Sequence, residues 1–194
     1  MSNIKVVAAL EIELQKYFEE NLFHVYYSGL GKINAAHCVT SIILQASPTH
    51  IVNVGTAGSS RYAAGTIIEC SGTVQRDMDV SPLGFQIGQT PFDEIDGLIE
   101  IPTYLEELPH GICGTGDSFE TAVSRVACDL VDMEAYAIAK VCKKMGIGCS
   151  LLKYITDGSD DTANTDWNEN LVHAGPKLFN AFMKLNAVIS SGEE

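Results

Sequence analysis

Leu130-Val131-Asp132-Met133-Glu134-Ala135-Tyr136-Ala137-Ile138-Ala139 (LVDMEAYAIA) changes character halfway along. Leu130-Val131 reads as a short buried strand. The alanine-rich continuation favours helix, from Met133 to about Met145. Gly146, after Lys143 and Lys144, supplies the C-cap that helix ends prefer. A strand running directly into a helix is the repeating unit of an α/β sheet. Two carboxylates, Asp132 and Glu134, sit in this apolar run, and an unpaired buried carboxylate is costly. Either they meet the positive end of the helix dipole, or one of them reads a polar ligand in a pocket. The stretch alone leaves both open.

The same junction recurs outward along the chain. Ile4 to Leu10 is a short apolar run of strand type, followed by Glu11, Ile12, Glu13, Leu14, Tyr17 and Phe18 at helical spacing. Two glutamates in a first helical turn suit the dipole, yet the carboxyl end of a strand is also where such sheets bind ligands. Phe23 to Ser28 reads as a second strand, then Gly29-Leu30-Gly31-Lys32 and a helix from Ile33 to Gln45. That Gly-x-Gly-Lys lacks P-loop spacing, but its glycines allow close backbone approach. Ile51 to Val54 is a third strand, opening into the small polar residues Gly55-Thr56-Ala57-Gly58-Ser59-Ser60. Gly65 to Val74 is a further strand or strand pair. Residues 84–107 read as loop, with a short strand at Ile99 to Ile101 and a helical turn at Tyr104 to Leu108. His110 begins a strand leading into Gly114-Thr115-Gly116-Asp117-Ser118-Phe119-Glu120, where an aromatic at the mouth could stack on a planar ligand. Cys149 to Thr156 is the last strand, ending in Asp157. Leu171 to Ile189 is a closing amphipathic helix, interrupted around Gly175-Pro176. The alternation predicts an α/β fold, three-layered, with a central mixed, largely parallel sheet flanked by helices, and no linker or repeat divides residues 1–194.

Composition narrows the function. Net charge is 12 − 25 = −13, which argues against nucleic acid and anionic membrane surfaces as partners. No apolar run approaches the roughly 20 residues of a membrane span. MSNIKVVAAL reads as a first strand rather than a signal peptide. The six cysteines form no CxxC pair and have no histidine at ligand spacing, so they read as reduced thiols of a cytoplasmic protein. Asp77-x-Asp79 superficially suits a metal, but no further carboxylate follows at EF-hand spacing, and a polar loop is the expectation. Only three arginines, Arg61, Arg76 and Arg125, are available to clamp a phosphate. The junctions at Glu11/Glu13, Gly55 to Gly58, Gly114 to Phe119 and Asp157, with Met133-Glu134, could converge on one crevice.

With those motifs assembled, the chain resembles the 5′-methylthioadenosine/S-adenosylhomocysteine nucleosidases of the purine nucleoside phosphorylase superfamily. AALEIEL is similar to the family's N-terminal (G/A)AMxxE, SGLGKINAA to SGxGKxxAA, VNVGTAGS to N(x)G(S/T)AG, and DMDVSPLGFQIGQTP to its Asp-x-Asp-Val and Gly-Gln-x-Pro loop. GTGDSF is similar to SGDxF, VDMEAYAIAKVC to V(E/D)MExxAIAxVC, and KYITDGSDD to (R/K)xx(S/T)D. The resemblance implies Glu13 as the base that activates water and Asp157 as the acid at adenine N7, with Thr156 beside it. It implies Glu134 and Met133 at the ribose hydroxyls, Thr56 near the ribose and Phe119 stacked on adenine. Glu120 and Lys153 fall at further substrate-binding positions, where the family often has an apolar residue and arginine. It also implies a homodimer in which a loop carrying Val80 and Leu83 closes the partner's alkylthio pocket. No metal or cofactor is implied. The chain is shorter than the family between Phe18 and Ser28 and from Phe92 to His110. The expectation is hydrolysis of an adenine nucleoside, because Ala8 to Glu13 carries negative charge and no arginine and would repel phosphate. The alternatives are a phosphate-dependent phosphorylase, a nucleosidase for another purine nucleoside such as futalosine, and a non-catalytic nucleoside-binding homologue.

Overall fold

The computed structural model describes residues 3–95, 97–119, 124–158, 167 and 170–192. Among the described residues, eight strands and five helices of at least four residues alternate. In chain order they are β1 (Ile4–Ala8), α1 (Glu11–Leu14), α2 (Tyr17–Glu20), β2 (Val25–Tyr27), α3 (Lys32–Ala46), β3 (His50–Gly58), β4 (Ile67–Gln75), β5 (Leu98–Glu100), β6 (His110–Thr115), β7 (Leu130–Asp132), α4 (Ala135–Met145), β8 (Gly148–Asp157) and α5 (Ala174–Ser191). Strand β1 lies between β2 and β3, parallel to both, and β3 runs parallel to β8 over most of its length. Strand β4 pairs parallel with β6 and antiparallel with β5 and β8, and β6 pairs parallel with β7. A single antiparallel pairing, Gly58 with Val131, joins β7 back to β3. Five strands therefore close into a ring, β3-β8-β4-β6-β7, with β1 and β2 extending it. The sheet is mixed and largely parallel, as expected. The closure is not legible in any local pattern, because it depends on which strands meet.

Helices cover both faces. Leu14, Phe18, Leu178 and Phe182 pack α1, α2 and α5 against β1, β3 and β8. Val39, Ile42, Ile138 and Cys142 pack α3 and α4 against the other face. Each such side chain taken out of water contributes about 1.5–3 kcal/mol before chain entropy is counted. Ile68, Cys113, Ile155 and Tyr136 fill a third cluster beside α4.

Three local expectations are corrected. The first helix is broken in two, because Gln15 and Lys16 adopt left-handed backbone (φ 49° and 62°). The closing helix is not interrupted at Gly175-Pro176. A 3-10 turn at Leu171–His173 leads into α5, where Pro176 sits in the first turn and its missing N–H has no intrahelical acceptor to lose. Gly175 is required by packing, since a Cβ there would lie 2.5 Å from the Leu14 carbonyl oxygen. The stretch from Tyr104 to Leu108 holds one hydrogen-bonded turn, Leu108 N–H to Leu105 O, and no helix. Instead the buried Glu69 carboxylate accepts the N–H groups of Tyr104 and Leu105 and fixes this segment as loop.

Candidate active site

A cavity of about 250 Å³ opens where seven strands end, close to the lower bound of roughly 300 Å³ for small-molecule sites. Its wall is built from residues at or just beyond the carboxyl ends of β1, β2, β3, β4, β6, β7 and β8. This is the edge at which open α/β sheets bind ligands.

Glu13 enters from α1 and is 5% exposed. Its Oε1 accepts the Thr56 N–H at 2.9 Å and the Thr56 hydroxyl at 2.7 Å, and Oε2 accepts the Leu10 N–H at 3.0 Å. The glutamate thus reaches back to the start of its own short helix and across to β3. Gly55 makes room for this, because a Cβ there would lie 3.3 Å from Oε1.

Glu134, the residue before α4, lines the same cavity as Glu13. Its Oε1 accepts the Gly31 N–H at 2.8 Å. Gly31 has φ 91°, a conformation that favours glycine, so the glycine of the Gly-x-Gly-Lys segment serves to turn an amide toward this carboxylate. Burial raises the Glu134 carboxyl to about 7; Asp132 and Glu13 add to the rise, while Lys153 and the Gly31 N–H oppose it.

Asp132 combines the helix-start role with a second one. Its Oδ2 accepts the Ala135 N–H at 2.9 Å and pairs with Lys153 Nζ at 2.7 Å, and Oδ1 accepts the Thr115 hydroxyl at 2.6 Å. Burial would raise its pKa, but Lys153 and these hydrogen bonds more than offset that and hold it below the usual range. Burial would likewise lower the Lys153 ammonium, and Asp132 reverses the sign, so the pair stays charged. Lys153 is 2% exposed and does not line the cavity. The expected direct contact of Lys153 with substrate is therefore corrected to an ion pair behind Glu13 and Glu134.

Asp157 closes β8. Its Oδ2 accepts the Thr156 hydroxyl at 2.7 Å, and its main-chain oxygen accepts the Ser59 N–H at 2.9 Å. Phe119, half exposed, Met133 and Thr56 also line the cavity. The structure thus brings together Glu13, Thr56, Phe119, Met133, Glu134 and Asp157. Val80 and Leu83 do not reach this cavity; Leu83 lies in a 3-10 turn, 73% exposed. Glu120 lies outside the described residues. Asp77 and Asp79 diverge, Asp77 toward Lys32 and Asp79 toward Arg125 at 3.0 Å, and no metal-ligand cluster occurs among the described residues.

Two wall residues were not foreseen. Trp167 donates its indole N–H to Thr56 Oγ1 at 3.2 Å. Arg76, buried at the end of β4, donates to the Ser118 hydroxyl at 3.1 Å and to the main-chain oxygens of Gly116 and Ser118. A lone tryptophan after Asp157, and an arginine beside Asp77, were the available signals; neither carries a spacing rule.

A family profile described as the Phosphorylase superfamily matches residues 8–187. A 5′-methylthioadenosine/S-adenosylhomocysteine nucleosidase from Exiguobacterium sp. is 31% identical over 165 residues, covering 74% of this chain and 71% of that protein. The chain belongs to this nucleosidase family of the phosphorylase superfamily. The fold likeness reaches further than the sequence likeness. The Helicobacter pylori 5′-methylthioadenosine/S-adenosylhomocysteine nucleosidase, solved with a pyrrolidine inhibitor, superposes with a TM-score of 0.84 at 24% identity, over 94% of this chain and 98% of that one. Futalosine hydrolase from the same organism gives 0.82 at 23% identity, over 91% and 94%. At such identities these likenesses speak for the fold. The nucleosidase fold here includes the closed strand ring and the cavity at its carboxyl edge.

Proposed function

We propose that this chain hydrolyses the N-glycosidic bond of an adenine nucleoside, 5′-methylthioadenosine and/or S-adenosylhomocysteine, and releases adenine. The observation that carries the reading is the convergence of Glu13, Glu134 and Asp157 on one cavity walled by Phe119. The names of the curated relatives point the same way. In this reading Asp157 is the general acid, delivering a proton to N7 as the C1′–N9 bond breaks and its electron pair passes into the base. Glu13 takes a proton from the water that adds to C1′. Glu134 accepts hydrogen bonds from the ribose diol, and its negative charge stabilises the cationic sugar. Phe119 stacks on the base, with Met133 and Thr56 at the sugar. A cavity lined by four carboxylates, Glu13, Asp132, Glu134 and Asp157, favours a developing cation and disfavours phosphate. Arg76, the cation among the described lining residues, spends hydrogen bonds on backbone oxygens.

The reading extends to one domain over residues 1–194 and to a homodimer in which Val80 and Leu83 complete the partner's cavity; the exposure of Leu83 and Phe92 supports the latter. It places the protein in the cytoplasm, in methionine salvage. The absence of disulfides among the six cysteines suits a reducing compartment.

The test is adenine release by chromatography in phosphate-free buffer, with 5′-methylthioadenosine, S-adenosylhomocysteine, adenosine and futalosine as separate substrates. Turnover of the first two without phosphate is expected. Asp157→Asn should fold normally and lose about 10²–10⁴-fold in rate, the range for removing a general acid. A strict phosphate requirement, or full activity of Asp157→Asn, would overturn the assignment.

A further inference from the structure

Three charged side chains outside the cavity join the loops that build it. Lys32 opens α3; its Nζ bonds Asp77, beyond β4, and lies 3.5 Å from Asp117 Oδ2, beyond β6. The Lys32 backbone N–H donates to Asp117 Oδ1 at 2.8 Å, and the Asp117 N–H donates to Asp77 Oδ2 at 2.8 Å. The circuit is closed, and each bond in it is charge-assisted. The Lys32 side chain is 16% exposed, that of Asp77 29% and that of Asp117 47%, so the circuit is half-buried at Lys32 and open to solvent at Asp117, and its strength lies in joining three bonds rather than in burial. Burial would raise the Asp77 carboxyl, but Lys32 and the Asp117 N–H more than offset that and lower it. Gly31 is fitted to the circuit as well, since a Cβ there would lie 3.0 Å from Asp117 Oδ1.

The neighbours of these residues in sequence face the cavity. The Gly31 N–H holds Glu134. Arg76, next to Asp77, holds the carbonyls of Gly116 and Ser118 from the inside. Phe119 follows Asp117 by two positions. The loop carrying the aromatic wall is therefore clamped on one side by Arg76 and on the other by the Lys32 circuit.

We propose that Lys32, Asp77 and Asp117 form a latch that holds the Phe119 loop against the start of α3 and so sets the affinity of the cavity for a nucleobase. The proposal rests on the nucleoside reading of the cavity. The three are positioning residues, because none of them lines the cavity. Without the latch the loop is held by Arg76 alone, and part of the free energy of ordering it around a stacked base is taken from binding.

The test uses the full chain, with kinetics on 5′-methylthioadenosine and adenine binding followed by fluorescence of Trp167, the chain's single tryptophan and a cavity residue. Lys32→Met should raise KM and the adenine Kd by about tenfold while kcat stays within about threefold. Lys32→Arg should recover most of that loss. Asp117→Asn, which keeps the shape and removes the charge, should move the same way. Unchanged adenine affinity in both Lys32→Met and Asp117→Asn would overturn the latch, as would an arginine variant no better than the methionine one. A wild type that binds adenine but hydrolyses no nucleoside would instead overturn the functional reading, and the fluorescence comparison would still decide the latch.

Discussion

Glu134 shows how one residue's surroundings set both chemistry and stability. Burial raises its carboxyl to about 7 in the folded protein, against an ordinary value of 4.5. A carboxyl raised on folding favours the protonated form, so its stabilising contribution is complete below about pH 4.5 and is lost as pH climbs through 7. Glu134→Gln removes that dependence. Denaturation at pH 5 and pH 8 should find the glutamine variant gaining about 2–3 kcal/mol on the wild type at the higher pH. Parallel stability curves would place the carboxyl elsewhere. Activity should run the other way: a diol acceptor has to be ionised, so kcat/KM should fall as pH drops below about 7. The candidacy of Glu134, Glu13 and Asp157 was legible in sequence, because an acid beside a strand end needs an explanation. The ion pair of Lys153 was not legible, since its partner Asp132 is 21 residues away and only the fold brings them within 2.7 Å.

At the scale of elements, that ion pair fastens β8 to the β7–α4 junction. Both partners are almost fully buried, so removing one strands the other. Lys153→Met should cost about 3–5 kcal/mol in urea unfolding, the range for an uncompensated buried charge. The double variant Lys153→Met/Asp132→Asn should recover much of the loss, because two neutral groups replace one orphaned ion. A single variant as stable as the wild type would show that the pair carries no structural load. Element boundaries read from sequence fall close to those observed where periodicity and caps agree. For α4 the Gly146 cap has φ 67°, as its position predicted. They fail at Gln15-Lys16, where non-glycine residues take left-handed backbone that no local signal marks, and at Pro176, where the proline lies at a helix start.

For the whole molecule, assembly is the open function of the exposed apolar side chains. Leu83 and Phe92 are 73% and 96% exposed in the single chain. If a second copy covers them, sedimentation at micromolar concentration should find a dimer. Leu83→Glu should then shift the equilibrium toward monomer and raise KM for 5′-methylthioadenosine more than for adenosine, whose 5′ end has no alkylthio group to enclose. A wild type that sediments as a monomer and is fully active would sink this reading.

The sequence by itself determined that the chain is an α/β protein with acids and small residues at its strand ends, because alternation, caps and burial cost act over a few residues. Its motifs determined the family. Tertiary structure alone decided that β7 returns to β3 and closes a ring, that Glu13 rests on Thr56 while Glu134 rests on Gly31, and that Trp167 and Arg76 reach the same cavity. Those contacts join residues 40 or more positions apart in most cases, and no local propensity encodes which distant partner a buried polar group will find.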